Sequence, residues 1–266
     1  MTKLFLGSIL IVLLCSSLYA QEVVVFDTTS SKEINEAILI LPGIADSKKN
    51  RKLQKNYFEQ KGFDLFIPEY KDDKTLEQCV ENLNIFYKIQ HLESYERIHV
   101  ISYIIGSWTL NQFIKKYDVK NIHSIIYDRS PIQERAPCIV SNNLQLVLWL
   151  KGIRFIIKDL AETSYPPIEN DSIQIGIIIE SKATKLMRIY KKKTLQMGPI
   201  LWGVNDLNQD HDDYFYTRLD HNEMYSELGV IGNEIFYFIH NGTFSTKAKR
   251  EPFDWDAFVP YKKEDL

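Results

Sequence analysis

The stretch Arg97-Ile98-His99-Val100-Ile101-Ser102-Tyr103-Ile104-Ile105-Gly106-Ser107-Trp108 decides how the rest of the chain is read. Residues 98–101 are largely apolar with little alternation, as in a strand buried on both faces. Gly106 and Ser107 then open a helical pattern that runs to about Tyr117. A buried strand turning sharply into a helix is the repeating unit of a parallel sheet.

The same rhythm extends in both directions. Residues 37–41, 64–68, 122–127, 173–179 and 214–219 read as strands, and helices are expected over about 51–61, 75–90 and 223–238. Strands with little polar alternation, separated by helices, predict an α/β fold with a doubly wound, mostly parallel sheet covered on both faces. No internal repeat or low-complexity linker interrupts it. Segment 131–167 breaks the pattern with an apolar excursion that includes Leu144, Leu146, Trp149, Leu150 and Phe155. At the carboxyl end of a parallel sheet such an insertion lies over the ligand crevice, so it reads as a helical cap or lid; an ordinary core-packing excursion fits the same residues.

Length and charge narrow the class. After Met1-Thr2-Lys3 comes an apolar run of about a dozen residues to Cys15, then Ser16-Ser17-Leu18-Tyr19-Ala20, the pattern of a signal peptide over residues 1–20. The run is too short to span a bilayer comfortably, so a secreted or periplasmic protein without an integral membrane segment is expected. Removing Lys3 moves the formal charge from -3 to -4, which argues against nucleic acid as a partner. Residues 21–266 suffice for a single domain with one large core. Cys79 and Cys138 are its only thiols; they could pair, though Cys79 sits at an apolar helical spacing that suits a small buried residue. Asn170-Asp171-Ser172 and Asn241-Gly242-Thr243 match the glycosylation acceptor pattern.

Three short motifs, in order, make the chain from Ala37 to Phe244 resemble an α/β-hydrolase of lipase or esterase type. Leu41-Pro42-Gly43-Ile44 is similar to the His-Gly turn after an early strand, with Pro42 in the histidine place, and the resemblance makes the Ile44 N–H an oxyanion donor. The strand-to-helix stretch is similar to the Gly-x-Ser-x-Gly elbow. Ser102 takes the first glycine, Gly106 the last, and Ile104 the nucleophilic serine, with the Ile105 N–H as second oxyanion donor. Ile104 has no lone pair with which to attack a carbonyl. Ser102 and Ser107 are the neighbouring hydroxyls, but each stands several ångströms from where a nucleophile must lie. Finally, Gly203-Val204-Asn205-Asp206 and Asp220-His221-Asn222 match the acid and histidine positions, so Asp206 and His221 are expected as a remnant acid/base pair. Leu207 replaces the usual glycine, and Asp212, Asp213 and Asp220 compete as partners of His221.

A calcium loop over residues 206–217 is weighed and set aside: the glycine expected sixth is His211, and the twelfth position is Thr217 rather than glutamate. The basic runs at 48–52 and 191–193 read as solvated faces. No metal or other cofactor is expected. The sequence therefore leads to an exported α/β-hydrolase-like protein without its serine nucleophile. Noncatalytic binding of an apolar or ester-like small molecule, or of a protein partner, is the expected function. A carboxylic-ester hydrolase using Asp206 and His221 with a displaced serine is the alternative.

Overall fold

In a computed structural model of the chain, residues 22–28, 35–44, 46–72, 74–169 and 172–261 are described. The expected signal peptide lies outside the described residues, as do Asn170 and Asp171 of one glycosylation acceptor. Seven strands form one sheet: β1 (Val23–Val25), β2 (Glu36–Leu41), β3 (Asp64–Ile67), β4 (Arg97–Ser102), β5 (Ile122–Arg129), β6 (Gln174–Lys182) and β7 (Asp213–Asp220). Their spatial order is β1-β3-β2-β4-β5-β6-β7, parallel throughout except for the antiparallel edge pair β1 and β3.

Helices α1 (Lys48–Phe58), α2 (Leu76–Ile89), α3 (Ile104–Tyr117) and α9 (Leu228–Asn241) make the crossovers and the closing layer. Ser47 and Thr75 start α1 and α2, each hydroxyl accepting a first-turn N–H, from Asn50 at 3.2 Å and from Gln78 at 3.0 Å. One sheet face buries Leu39, Leu41, Val100, Ile125 and Tyr127 beneath α2 and α3. The other buries Ile38, Ile40, Ile101, Ile126 and Ile178 beneath α1 and α9. Cys79 and Cys138 are free thiols, Cys79 buried in the first of these cores, so the pairing they could have made is not formed.

Between β5 and β6 the chain forms α4 (Ala136–Asn143), α5 (Gln145–Leu150) and α6 (Arg154–Glu162); α7 (Lys185–Ile189) and α8 (Lys191–Gln196) follow β6. Leu148, Ile156, Ile157 and Leu160 hold α5 and α6 on the core. A buried polar network anchors the segment from below: Arg129 pairs with Glu134 at 2.5 Å, donates to the Leu207 carbonyl, and stacks on the Tyr165 ring. Strands β5 and β6 run two and three residues beyond the expected ends at 127 and 179, and those extra residues include Asp128 and Glu180. The pattern of apolar side chains could not extend a strand through a carboxylate, but parallel pairing does. β1, α7 and α8 are short elements that the sequence pattern did not separate from loops. The expected helix over 223–238 opens instead as a 3-10 turn, Glu223–Tyr225, ahead of α9.

Candidate functional site

The carboxyl ends of β2, β4, β5, β6 and β7 meet over one spot. β4 ends at Ser102, α3 begins at Ile104, and Tyr103 alone joins them. A nucleophile elbow exposes its side chain by holding one residue in a strained conformation. Tyr103 has φ -93° and ψ 155°, ordinary extended backbone, and among the described residues no position from 102 to 107 has positive φ. Gly106 is required for packing: a Cβ there would strike the Leu41 backbone of β2. Ile104, expected at the nucleophile position, is half-buried and carries only carbon in its side chain.

Ser102 and Ser107 are fully buried and hydrogen-bond to each other at 3.0 Å, and neither contacts His221. Ile105 is the second residue of α3, where a first-turn N–H has no intrahelical carbonyl and no side chain caps the helix. Ile44 follows Gly43 in the turn after β2 and packs, half-buried, on the first core. Pro42 is held by Tyr70, whose hydroxyl donates to the Pro42 carbonyl at 2.6 Å.

His221 stands just after β7, as expected, but its acid is different. Nδ1 lies 2.7 Å from Glu180 Oε1 and 3.3 Å from Asp128 Oδ2. Asp206, expected as the partner, sits on an exposed 3-10 turn with its carboxylate folded against Gly203, and makes no contact with His221. The competing acids are committed elsewhere: Asp212 accepts the Ile175 N–H, Asp213 pairs with Arg250, and Asp220 accepts N–H groups of its own turn. Register explains why Asp128 and Glu180 converge. Asp128 pairs with Ile178, so Glu180, two residues on, points to the same sheet face from the next strand. Each is the first acid after an apolar run at a carboxyl strand end, the signal that could have found it.

Asp128, Glu180 and His221 are all buried. Burial, then the Asp128 charge, pushes Glu180 well above the usual carboxyl range. Burial lowers the His221 pKa, but Glu180 and Asp128 outweigh it and raise the imidazole to about 10. These three side chains also form the one group among the described residues able to hold a metal ion, with ligand atoms within 4.8 Å of one another. The 2.7 Å separation of Nδ1 and Oε1 is that of a charge-assisted hydrogen bond, shorter than the roughly 3.3 Å between two ligands on a tetrahedral ion. The 206–217 stretch forms no such group.

Tyr225, which no motif marks, completes the site. Its hydroxyl accepts the Gly43 N–H at 3.1 Å and lies 3.3 Å from His221 Nε2. Any side chain at position 43 would collide with that hydroxyl. The Tyr225 ring stacks on Tyr103 with centroids 4.2 Å apart, and the Tyr103 hydroxyl accepts from Gln54 at 3.2 Å and donates to the Met224 carbonyl at 3.3 Å. Two aromatic rings thus fill the space beside Gly43 and His221. Two surface cavities, of about 300 and 330 Å³, lie elsewhere, beside Tyr87 and Tyr117 and beside Val80 and Gln112.

No family model matches the chain, and no curated protein sequence does at a significant level. Solved structures do match in shape. A variant of an epoxide hydrolase from Bacillus megaterium aligns over 83% of this chain and 96% of its own at 12% identity, with TM-score 0.52. A carboxylesterase of the thaumarchaeon Nitrososphaera gargenis aligns over 84% and 94% at 10% identity, TM-score 0.52. A type II thioesterase of yersiniabactin biosynthesis aligns over 85% and 100% at 11% identity, TM-score 0.51. With so little sequence shared, these likenesses speak for architecture, and the architecture of this chain is the α/β-hydrolase fold.

Proposed function

We propose that the protein is an exported α/β-hydrolase-fold protein that binds without catalysing, recognising an apolar or ester-like ligand or a protein partner. One observation carries the reading. The Tyr225 hydroxyl occupies the Gly43 N–H and stands against His221 Nε2, while Ile104 offers no nucleophile. An oxyanion site works because its donors are free and aimed at the developing charge. Here one donor beside that site is already occupied, and the imidazole holds its proton. Export rests on the apolar run ahead of Cys15.

The surviving 2.7 Å bond between His221 and Glu180 is the observation that favours the alternative, an ester hydrolase acting through a displaced serine or on water. The purified protein, incubated with short- and long-chain acyl esters, distinguishes the two. No turnover above buffer is expected; turnover abolished by His221→Ala overturns the binding reading.

A further inference from the structure

Segment α5–α6 places large apolar side chains outward. Leu146, Trp149 and Leu150 are 64–70% exposed, and Phe155, at the start of α6, is 64% exposed. Positions 146, 149 and 150 follow the i, i+3, i+4 spacing and form one ridge on α5, while Leu148 turns into the core. Isolated exposed apolar residues are ordinary, but four large ones on two consecutive short helices form a patch that normally marks an interaction surface.

The charges around the ridge say what covers it. Between Arg135 and Asp159 there is no acid, and Lys151, Arg154 and Lys158 interleave with the apolar residues. Lys151 and Arg154 are exposed and have no acidic partner among the described residues. A second acid-free segment, 181–205, is tied alongside: Arg135 donates to the carbonyls of Thr194 and Gly198, and Lys193 bonds Asn143 at the end of α4. It adds exposed Lys192 and exposed Leu195. A chain of net charge -3 has therefore gathered uncompensated cations around exposed Trp, Leu and Phe. A protein partner with an apolar groove would need no such rim, and a second copy would bring like charges together. A bilayer of anionic phospholipid supplies both complements, headgroup charge for the lysines and acyl boundary for the ridge.

We infer that this face docks on an anionic membrane surface, with α5 lying in the interface plane and Trp149, Leu150 and Phe155 entering the headgroup boundary. No helix among the described residues is long and apolar enough to cross a membrane. The docking stands whether or not the crevice is catalytic.

Sedimentation of the purified protein with vesicles tests this. Vesicles of equal parts phosphatidylglycerol and phosphatidylcholine are expected to bind it at least about tenfold better than pure phosphatidylcholine, with binding weakened by salt. Trp149→Ser with Leu150→Ser, and separately Lys151→Glu with Arg154→Glu, are each expected to cut binding about tenfold or more while circular dichroism stays unchanged. The proposal is overturned if the wild type ignores anionic vesicles, binds both compositions equally, or is unaffected by either pair of substitutions. It is equally overturned if the wild type forms a dimer that the Trp149→Ser pair dissolves, without vesicle binding. Binding accompanied by fatty-acid release would retain the docking and overturn the noncatalytic reading instead.

Discussion

Raising the pH should unfold this protein from its buried His221 cluster, and the size of the effect can be worked from the geometry. The imidazolium lies 2.7 Å from Glu180 and 3.3 Å from Asp128. At an effective dielectric of about 20, one unit charge pair at such separations is worth ~5 kcal/mol before desolvation is subtracted. The net result is a folded-state pKa of about 10 against an unfolded value of about 6.5. A group with a raised folded pKa stabilises fully below its unfolded value and loses that contribution as pH rises through the folded one. The window is therefore pH 6.5 to 10, with a slope approaching ~1.4 kcal/mol per pH unit for one proton. Glu180, also raised, acts in the same direction, because its proton too is bound more tightly in the folded state. Urea unfolding at intervals from pH 7 to 10 should show stability falling by about 3 kcal/mol from His221 alone. The near-isosteric double variant Asp128→Asn, Glu180→Gln removes both carboxyl groups that face the imidazole, and should flatten the profile. A wild-type profile that is already flat, or an equal slope in the double variant, would refute the reasoning.

Other consequences follow from single contacts. Tyr225→Phe strands the Gly43 N–H and one His221 nitrogen, and urea unfolding should register a loss of about 1–3 kcal/mol. Gly106→Ala forces a methyl against the Leu41 backbone and should cost about 1–3 kcal/mol or prevent folding. Gly229→Ala, where nothing lies within 4 Å on the first turn of α9, should instead stabilise by about 0.5–1 kcal/mol in the same assay. Ile104→Ser combined with Ser102→Gly should yield no ester turnover, because the added hydroxyl meets a protonated imidazole and the crowding Tyr225 ring; turnover would show that base and donors remain aligned.

Most of the sheet was legible because it is buried. Runs such as 37–41 and 98–101 have no solvent face, so unbroken hydrophobicity alone marks them as interior strands. Legibility failed where a strand carries charge into the core. Asp128 and Glu180 sit past the apolar runs of β5 and β6, and a buried carboxylate is written in sequence just like an exposed one. Only parallel register brings the two side by side. Asp206 looked like the acid because it lies between the elbow and His221 in chain order, but order along a chain does not fix which side chain reaches an imidazole. Tyr225 was hidden for a related reason. Its partner is Gly43, 182 residues away, and a tyrosine ahead of a closing helix carries no mark of the glycine it covers.

The three departures at this site act on one another. Tyr103 joins β4 to α3 in ordinary extended geometry. A relaxed Tyr103 lies flat on Tyr225, and that stack holds the phenol over Gly43, where its oxygen takes up the free N–H. The same oxygen lies 3.3 Å from His221 Nε2, while Glu180 lies 2.7 Å from Nδ1. Both imidazole nitrogens thus have a hydrogen-bond partner in the core. On the binding reading, restoring a nucleophile alone does not restore a triad, because the Tyr225 hydroxyl would also have to leave the Gly43 N–H and His221 Nε2 before a substrate could use either.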